Sequence, residues 1–140
     1  MDILDLLCGE NELYERTLAP VQQKYRLTHT ELSILLFLAN NPGFDRATDI
    51  VAIRKIAKSH VSLSVGNLEK RGLLVRAFEE GDRRAAHLKL TDAAHPIVRA
   101  GQHLQKQFFT RMFSGLSKKE LEQWGNVLEK ICRNIEEMEE

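Results

Sequence analysis

Residues 58–71 read Lys-Ser-His-Val-Ser-Leu-Ser-Val-Gly-Asn-Leu-Glu-Lys-Arg, and Gly72 follows. Val61, Val65 and Leu68 stand at i, i+4 and i+7, the spacing of one buried helix face. Gly72 then supplies a left-handed stop just past the helix end. At about 100° per residue the opposite side carries Ser59, Leu63, Gly66 and Lys70, flanked by His60, Ser62 and Asn67. An ordinary solvated face would carry Glu and Lys in i,i+4 pairs. This one carries serines, a glycine and an asparagine, which are mediocre helix formers. Gly66 alone costs roughly 1 kcal/mol relative to alanine. Such a surface suits close approach to another polar surface.

Each outward residue has a use against duplex DNA. The hydroxyls of Ser59 and Ser62 donate or accept, the Asn67 amide matches adenine N6/N7, and Leu63 fits a thymine methyl. Lys58 and Lys70, near the two helix ends, are placed for phosphates. His60, a lone helical histidine between serines, lacks a chelating pattern and falls in the same surface.

The neighbouring segments frame that helix. Downstream, Leu74–Phe78 alternates as a strand, a polar loop Glu79–Ala85 contains Gly81, and Ala86–Leu90 reads as a second strand. On that strand Ala86, Leu88 and Leu90 share one face, His87 and Lys89 the other. In the loop Asp82 and Arg84 point the same way, so Asp82 pairs with Arg84 and fixes the loop. Arg83 is left to point elsewhere, and a guanidinium at a hairpin tip suits a narrow minor groove. Upstream, Thr28-His-Thr-Glu31 is a capping box ahead of Leu32, Leu35, Leu36 and Ala39. That helix stops at Asn40–Gly43. A short helix over Ala47–Ile53 follows, with Ile50 and Ile53 inward.

Farther out, Tyr14, Leu18, Val21 and Tyr25 make one helical face. Pro20 is expected to bend that helix or restart it, with Met1–Cys8 as a separate turn before Gly9. Thr91 opens a long helix with Ile97, Leu104, Phe108 and Met112 on one side and Pro96 as a kink near its start. A second capping box, Ser117-Lys-Lys-Glu120, begins the last helix. Leu121, Trp124, Leu128, Ile131, Ile135 and Met138 form a heptad seam there, which favours a homodimer. Four helices, a hairpin and two helices predict a mainly α fold with a small β-hairpin wing. The middle is a winged helix-turn-helix, a motif that lays its second helix in the major groove.

The 140 residues make one domain, and 43% hydrophobic with 29% charged residues exclude intrinsic disorder. No apolar run is long enough to span a membrane, and the first residues lack the basic region of a secretory leader. Cys8 and Cys132 make no disulfide framework. A soluble, cytoplasmic protein is expected. Lys+Arg and Asp+Glu are both 20, yet residues 51–90 hold nine basic and four acidic groups between acidic ends. That distribution focuses positive potential on the middle of the chain. No nucleophile elbow, phosphate loop, metal-ligand cluster or catalytic carboxylate pair is present, so no enzyme, catalytic residue, cofactor or metal is expected.

The words as well as the order resemble the MarR family of winged helix-turn-helix regulators. The matching stretches are Leu27-Thr28-His-Thr-Glu-Leu-Ser-Ile-Leu, Ala57-Lys58-Ser59-His60-Val61-Ser62, Leu68-Glu69-Lys70-Arg71-Gly72-Leu73-Leu74, and Gly81-Asp82-Arg83-Arg84 through Leu88-Lys89-Leu90-Thr91. The likeness is good over about residues 27–95 and holds in pattern outside them. It implies one chain, 1–140, with a DNA-binding region at 28–92 and dimerisation helices at 1–27 and 93–140. It implies a homodimer whose end helices intertwine and whose winged domains read successive major grooves of a pseudo-palindrome. Arg84 would be the minor-groove arginine and Asp82 its partner. Most members are repressors released by a small phenolic or lipophilic ligand. Ala57 departs from the family's common capping serine, a cap usually worth ~1 kcal/mol.

Other readings of the same fold are a redox-responsive regulator acting through Cys8, near Tyr14 and Tyr25, and a zinc-responsive one. Cys8 has no basic neighbour within two positions, which argues for an inert thiol, and Cys132 beside Ile131 reads as packing. The five histidines, His29, His60, His87, His95 and His103, are scattered; only His95 and His103, two turns apart, could face the same way. Leu32, Leu36, Phe108 and Met112 read as core before they read as a ligand pocket. A winged-helix protein-interaction module is the alternative from a different class.

Overall fold

The computed structural model describes residues 3–139, with side chains except for those of 3–11 and 82–85. The order is α1 (Ile3–Tyr25), α2 (His29–Asn40), α3 (Ala47–Arg54), α4 (Lys58–Lys70), β1 (Leu74–Glu79), β2 (Asp82–Leu90), a 3-10 turn (Asp92–Ala94), α5 (His95–Met112) and α6 (Lys118–Glu139). Two compact units result, divided between Phe108 and Phe109.

In the first unit α2 is the centre. Thr28 Oγ1 accepts from Glu31 N at 3.1 Å, and Glu31 Oε1 accepts from Thr28 N at 2.8 Å, so the capping box starts the helix as its sequence requires. Leu32, Ile34, Leu35, Leu36, Phe37 and Leu38 are all buried. A helix apolar on every side must be wrapped by others, and α1, α4 and β2 touch it. Leu18 and Val21 of α1 join this core, as do Val61, Val65 and Leu68 of α4, Leu74 of β1, Leu88 of β2 and Ile97 and Val98 of α5. At Gly101 an added Cβ would stand 2.8 Å from Leu36 Cδ2, so α5 crosses α2 at close range.

Several expectations need correction. α1 is one helix through Gly9 and Pro20, not a turn and a restart. Pro20 is exposed while Leu18 and Val21 are buried, so packing holds the helix across the missing donor. In α3 Ile50 is buried but Ile53 is exposed. Thr91 makes no side-chain cap; its Oγ1 donates to Gly72 O at 2.6 Å, and α5 starts later, at His95. Pro96 then falls in the first turn, where its missing N–H costs nothing.

The sheet is an antiparallel pair with Leu74 opposite Leu90, Arg76 opposite Leu88 and Phe78 opposite Ala86. Leu88 N also donates to Asp45 O at 2.7 Å, which places the loop before α3 along the free edge of β2.

The second unit holds the end of α5 and α6. Ser117 Oγ accepts from Glu120 N at 3.1 Å and Glu120 Oε2 from Ser117 N at 2.8 Å, the second capping box. Phe113 lies between Phe109 and Trp124, with centroids 6.3 and 5.2 Å away. No residue of α6 is buried, and its apolar seam is half-buried at Leu121 and exposed from Trp124 onward: Trp124 is 52% and Met138 83% exposed. Cys132, expected to pack, is exposed as well.

Candidate nucleic-acid interface

Helix α4 presents the surface its sequence demands. Val61, Val65 and Leu68 are within 1% of full burial, and Ser64 turns inward with them. Lys58, Ser59, His60, Ser62 and Lys70 are exposed, and Gly66 and Asn67 are half-buried. Leu63 is 64% exposed, an apolar side chain left largely open to solvent. A Cβ built at Gly66 meets no atom within 4 Å. Internal packing therefore does not explain this glycine, which costs the helix roughly 1 kcal/mol. As its sequence dictates, Ala57 supplies no side-chain cap.

The wing is attached to this helix. Arg76 Nε lies 3.3 Å from Glu69 Oε2, tying β1 to the last turns of α4. The hairpin is tighter than its composition predicts. The expected loop Glu79–Ala85 is reduced to Glu80–Gly81, with Gly81 at φ +87°, because β2 already begins at Asp82. Ladder bonds use backbone groups alone, so a charged stretch can join them. Glu79 pairs with Asp82 while Phe78 pairs with Ala86, so β2 advances four residues where β1 advances one. This bulged segment carries Arg83 and Arg84. The side chains of Asp82, Arg83 and Arg84, and so the expected Asp82–Arg84 pair, lie outside the described residues.

His87 sits at the other side of the wing. Its Nδ1 is 2.7 Å from Asp45 Oδ1 and its Nε2 2.9 Å from Glu79 Oε1. Arg46 completes the cluster, 3.8 Å from the same Glu79 oxygen and 3.5 Å from His87 Nε2. The bond to Asp45 and then the bond to Glu79 raise the His87 pKa above its ordinary value, against desolvation and the nearby Arg46 charge. As an imidazolium His87 donates to both carboxylates at once. Sequence alternation put His87 off the core face, but nothing local marks Asp45, 42 residues away, as its partner.

The other sensing candidates are dispersed. His29 pairs with Glu15 at 3.4 Å, His95 lies 3.8 Å from Asp92, and Gln107 Nε2 donates to His103 Nε2 at 3.1 Å. Among the described residues no group of three His, Cys, Asp or Glu side chains is placed to hold a metal ion. The Cys8 side chain lies outside the described residues. Leu32 and Leu36 are core; Phe108 meets Tyr14 edge-on at 5.4 Å, and Met112 is exposed. A polar chain absent from the sequence reading joins three helices there. Gln102 Nε2 donates to Asn40 Oδ1 (3.0 Å), Asn40 Nδ2 to Gln105 Oε1 (3.1 Å), and Gln105 Nε2 to the Tyr14 hydroxyl (2.6 Å). No described helix is long and apolar enough to cross a membrane.

Comparison with known proteins agrees with the fold. The MarR family model matches residues 27–85. The transcriptional repressor MprA of Escherichia coli K12 is 29% identical over 84 residues, 60% of this chain and 48% of that protein. The chain thus spans about half the length of the curated relatives it matches. Among solved structures, a MarR-family regulator from Listeria monocytogenes complexed with a 26mer DNA superposes with a TM-score of 0.82 at 18% identity, over 96% of this chain and 89% of that one. The Staphylococcus aureus MepR–DNA complex gives 0.75 at 20% identity, over 96% and 98%. At these identities the structural likeness establishes the fold.

Proposed function

We propose that this chain is a winged-helix regulator of the MarR family, whose model matches residues 27–85, and that it regulates transcription by binding a specific duplex DNA site as a homodimer. The observation that carries the proposal is the outward surface of α4: Ser59, Ser62, Leu63, Gly66 and Asn67 turned away from a core that takes Val61, Val65 and Leu68. In this reading the hydroxyls and Asn67 read base edges and Leu63 meets a thymine methyl. His60 borders the same surface, and Lys58 and Lys70 hold phosphates. Arg83 and Arg84 reach the minor groove from the wing, with Asp82 fixing Arg84.

Residues 28–92 act as the DNA-binding region, and 1–27 and 93–140 as dimerisation segments. The open seam of α6, repeating at coiled-coil spacing, supports association with a second copy. The DNA complex of the Listeria relative supports duplex binding and the repressor role of MprA supports repression, with the cytoplasm as the proposed compartment. A small phenolic or lipophilic effector would release it, an assignment that rests on the family likeness and is tested by a thermal-shift screen of such compounds.

Selection of random duplexes by the purified full chain tests the proposal. It should enrich an inverted repeat with half-sites one helical turn apart, about 34–36 Å. Affinity for that repeat should fall steeply as salt is added. Absence of enrichment, or binding insensitive to salt, would refute it.

A further inference from the structure

Arg71 belongs to the basic block around α4, yet its guanidinium is engaged by another helix. Nη1 donates to Arg26 O at 2.9 Å and Nη2 to Tyr25 O at 2.6 Å. These carbonyls lie at the end of α1, where intrahelical donors have run out and partial negative charge collects. Arg26 itself sits at φ +52°, and Leu27 N turns back to Gln22 O at 2.9 Å, so the chain leaves α1 abruptly there. A planar fork with two fixed donors matches a pair of carbonyls, whereas an ammonium presents a point charge.

The backbone of Arg71 caps the end of α4, its N–H donating to Asn67 O at 3.1 Å. The same corner is held from the other side. Thr91 Oγ1 donates to Gly72 O at 2.6 Å and Thr91 N to Leu73 O at 3.1 Å, just before the chain enters α5. Gly72, at φ +72°, makes the turn that brings these bonds together. Residues 71–73 are thus a joint at which α1, α4 and the approach to α5 meet.

We propose that Arg71 is a positioning residue for base recognition: it fixes the C-terminal end of α4 against α1 without touching nucleic acid, and Thr91 holds the same joint from the α5 side. The proposal rests on the DNA-binding reading and names what sets the tilt of its reading helix. The competing role for an arginine here is a phosphate contact. The two differ in salt dependence, because each phosphate neutralised adds about 0.9 to the slope of log affinity against log salt, and a positioning contact adds nothing.

The experiment titrates the full-length wild type, Arg71→Lys, Arg71→Gln and Thr91→Val with the duplex selected by the wild type and with a scrambled duplex of equal length, at several salt concentrations. Arg71→Lys keeps the charge but not the fork. Both Arg71 variants should lose about tenfold on the selected duplex and less than about twofold on the scrambled one, with the salt slope unchanged. Thr91→Val should move affinity the same way. Full affinity in Arg71→Lys, or an equal loss on both duplexes in Arg71→Gln with a slope lower by about one, would overturn the proposal in favour of a phosphate contact. Unchanged affinities in all three variants would overturn it too. Hydrogen exchange gives a readout independent of DNA. Amides at 70–73 should exchange faster in Arg71→Gln and Arg71→Lys than in the wild type, and equal rates would refute the joint. A wild type that selects no duplex would instead refute the DNA-binding reading, and the exchange rates would still decide the joint.

Discussion

Leu63, 64% exposed on α4, does nothing for the core, so its replacement separates recognition from stability. Leu63→Ala should leave unfolding free energy within about 0.5 kcal/mol of wild type, as surface substitutions do. It should erase the preference for one thymine position and spare binding to unrelated duplexes; equal loss on every sequence would contradict a methyl contact. Gly66→Ala is sharper, because open space surrounds the position. Alanine should stabilise the helix by up to ~1 kcal/mol, measured by denaturant titration, while specific affinity falls about tenfold as the new methyl meets the duplex. A variant both stabler and equally tight would show that the helix never comes so close. The inward residues were legible in sequence because α4 is long enough for its period to define a face. Ile53 was not, because α3 has only eight residues and Ile50, with Ala47 and Val51 packed beside it, makes its contact with the core.

The wing, as an element, depends on charges that composition cannot pair. Asp82, Arg83 and Arg84 look like a loop, and the backbone still recruits them into β2. Asp45 and His87 are 42 residues apart, and Arg71 and Tyr25 are 46 apart, so no local period announces either contact. Capping boxes, by contrast, are complete within four residues, and both are formed where the sequence places them. The His87 cluster gives the wing a pH dependence with a definite sign. The native pKa is raised by Asp45 and Glu79, so folding favours the protonated form. That stabilisation is complete below the ordinary histidine value of about 6.5 and is lost as pH rises through the raised native value. Thermal melts of the wild type against His87→Asn should therefore differ most in mild acid and converge as the solution becomes alkaline. A gap that widens with rising pH would contradict the arrangement. On the same element Arg84→Ala should cut affinity for the selected duplex tenfold or more, about 1.4 kcal/mol, in an equilibrium titration; an unchanged curve would remove the wing from recognition.

At the scale of the whole molecule, the outward side of α4 and the seam of α6 both present apolar side chains to solvent. Exposed apolar residues repeating at heptad spacing favour association. Sedimentation should accordingly give twice the 16.0 kDa chain mass, and Ile131→Glu should return the chain mass itself. A wild type that sediments as one chain would contradict the dimer while leaving the DNA surface intact. The central claim, that α4 enters a major groove, is tested most directly by a cleaving iron chelate attached to Ser62→Cys, with Cys8 and Cys132 replaced by serine. Bound to the selected duplex, it should cut in two clusters about one helical turn apart, with the strand offset of major-groove attack. Cuts scattered along the duplex, or none while the protein remains bound, would place α4 away from the groove.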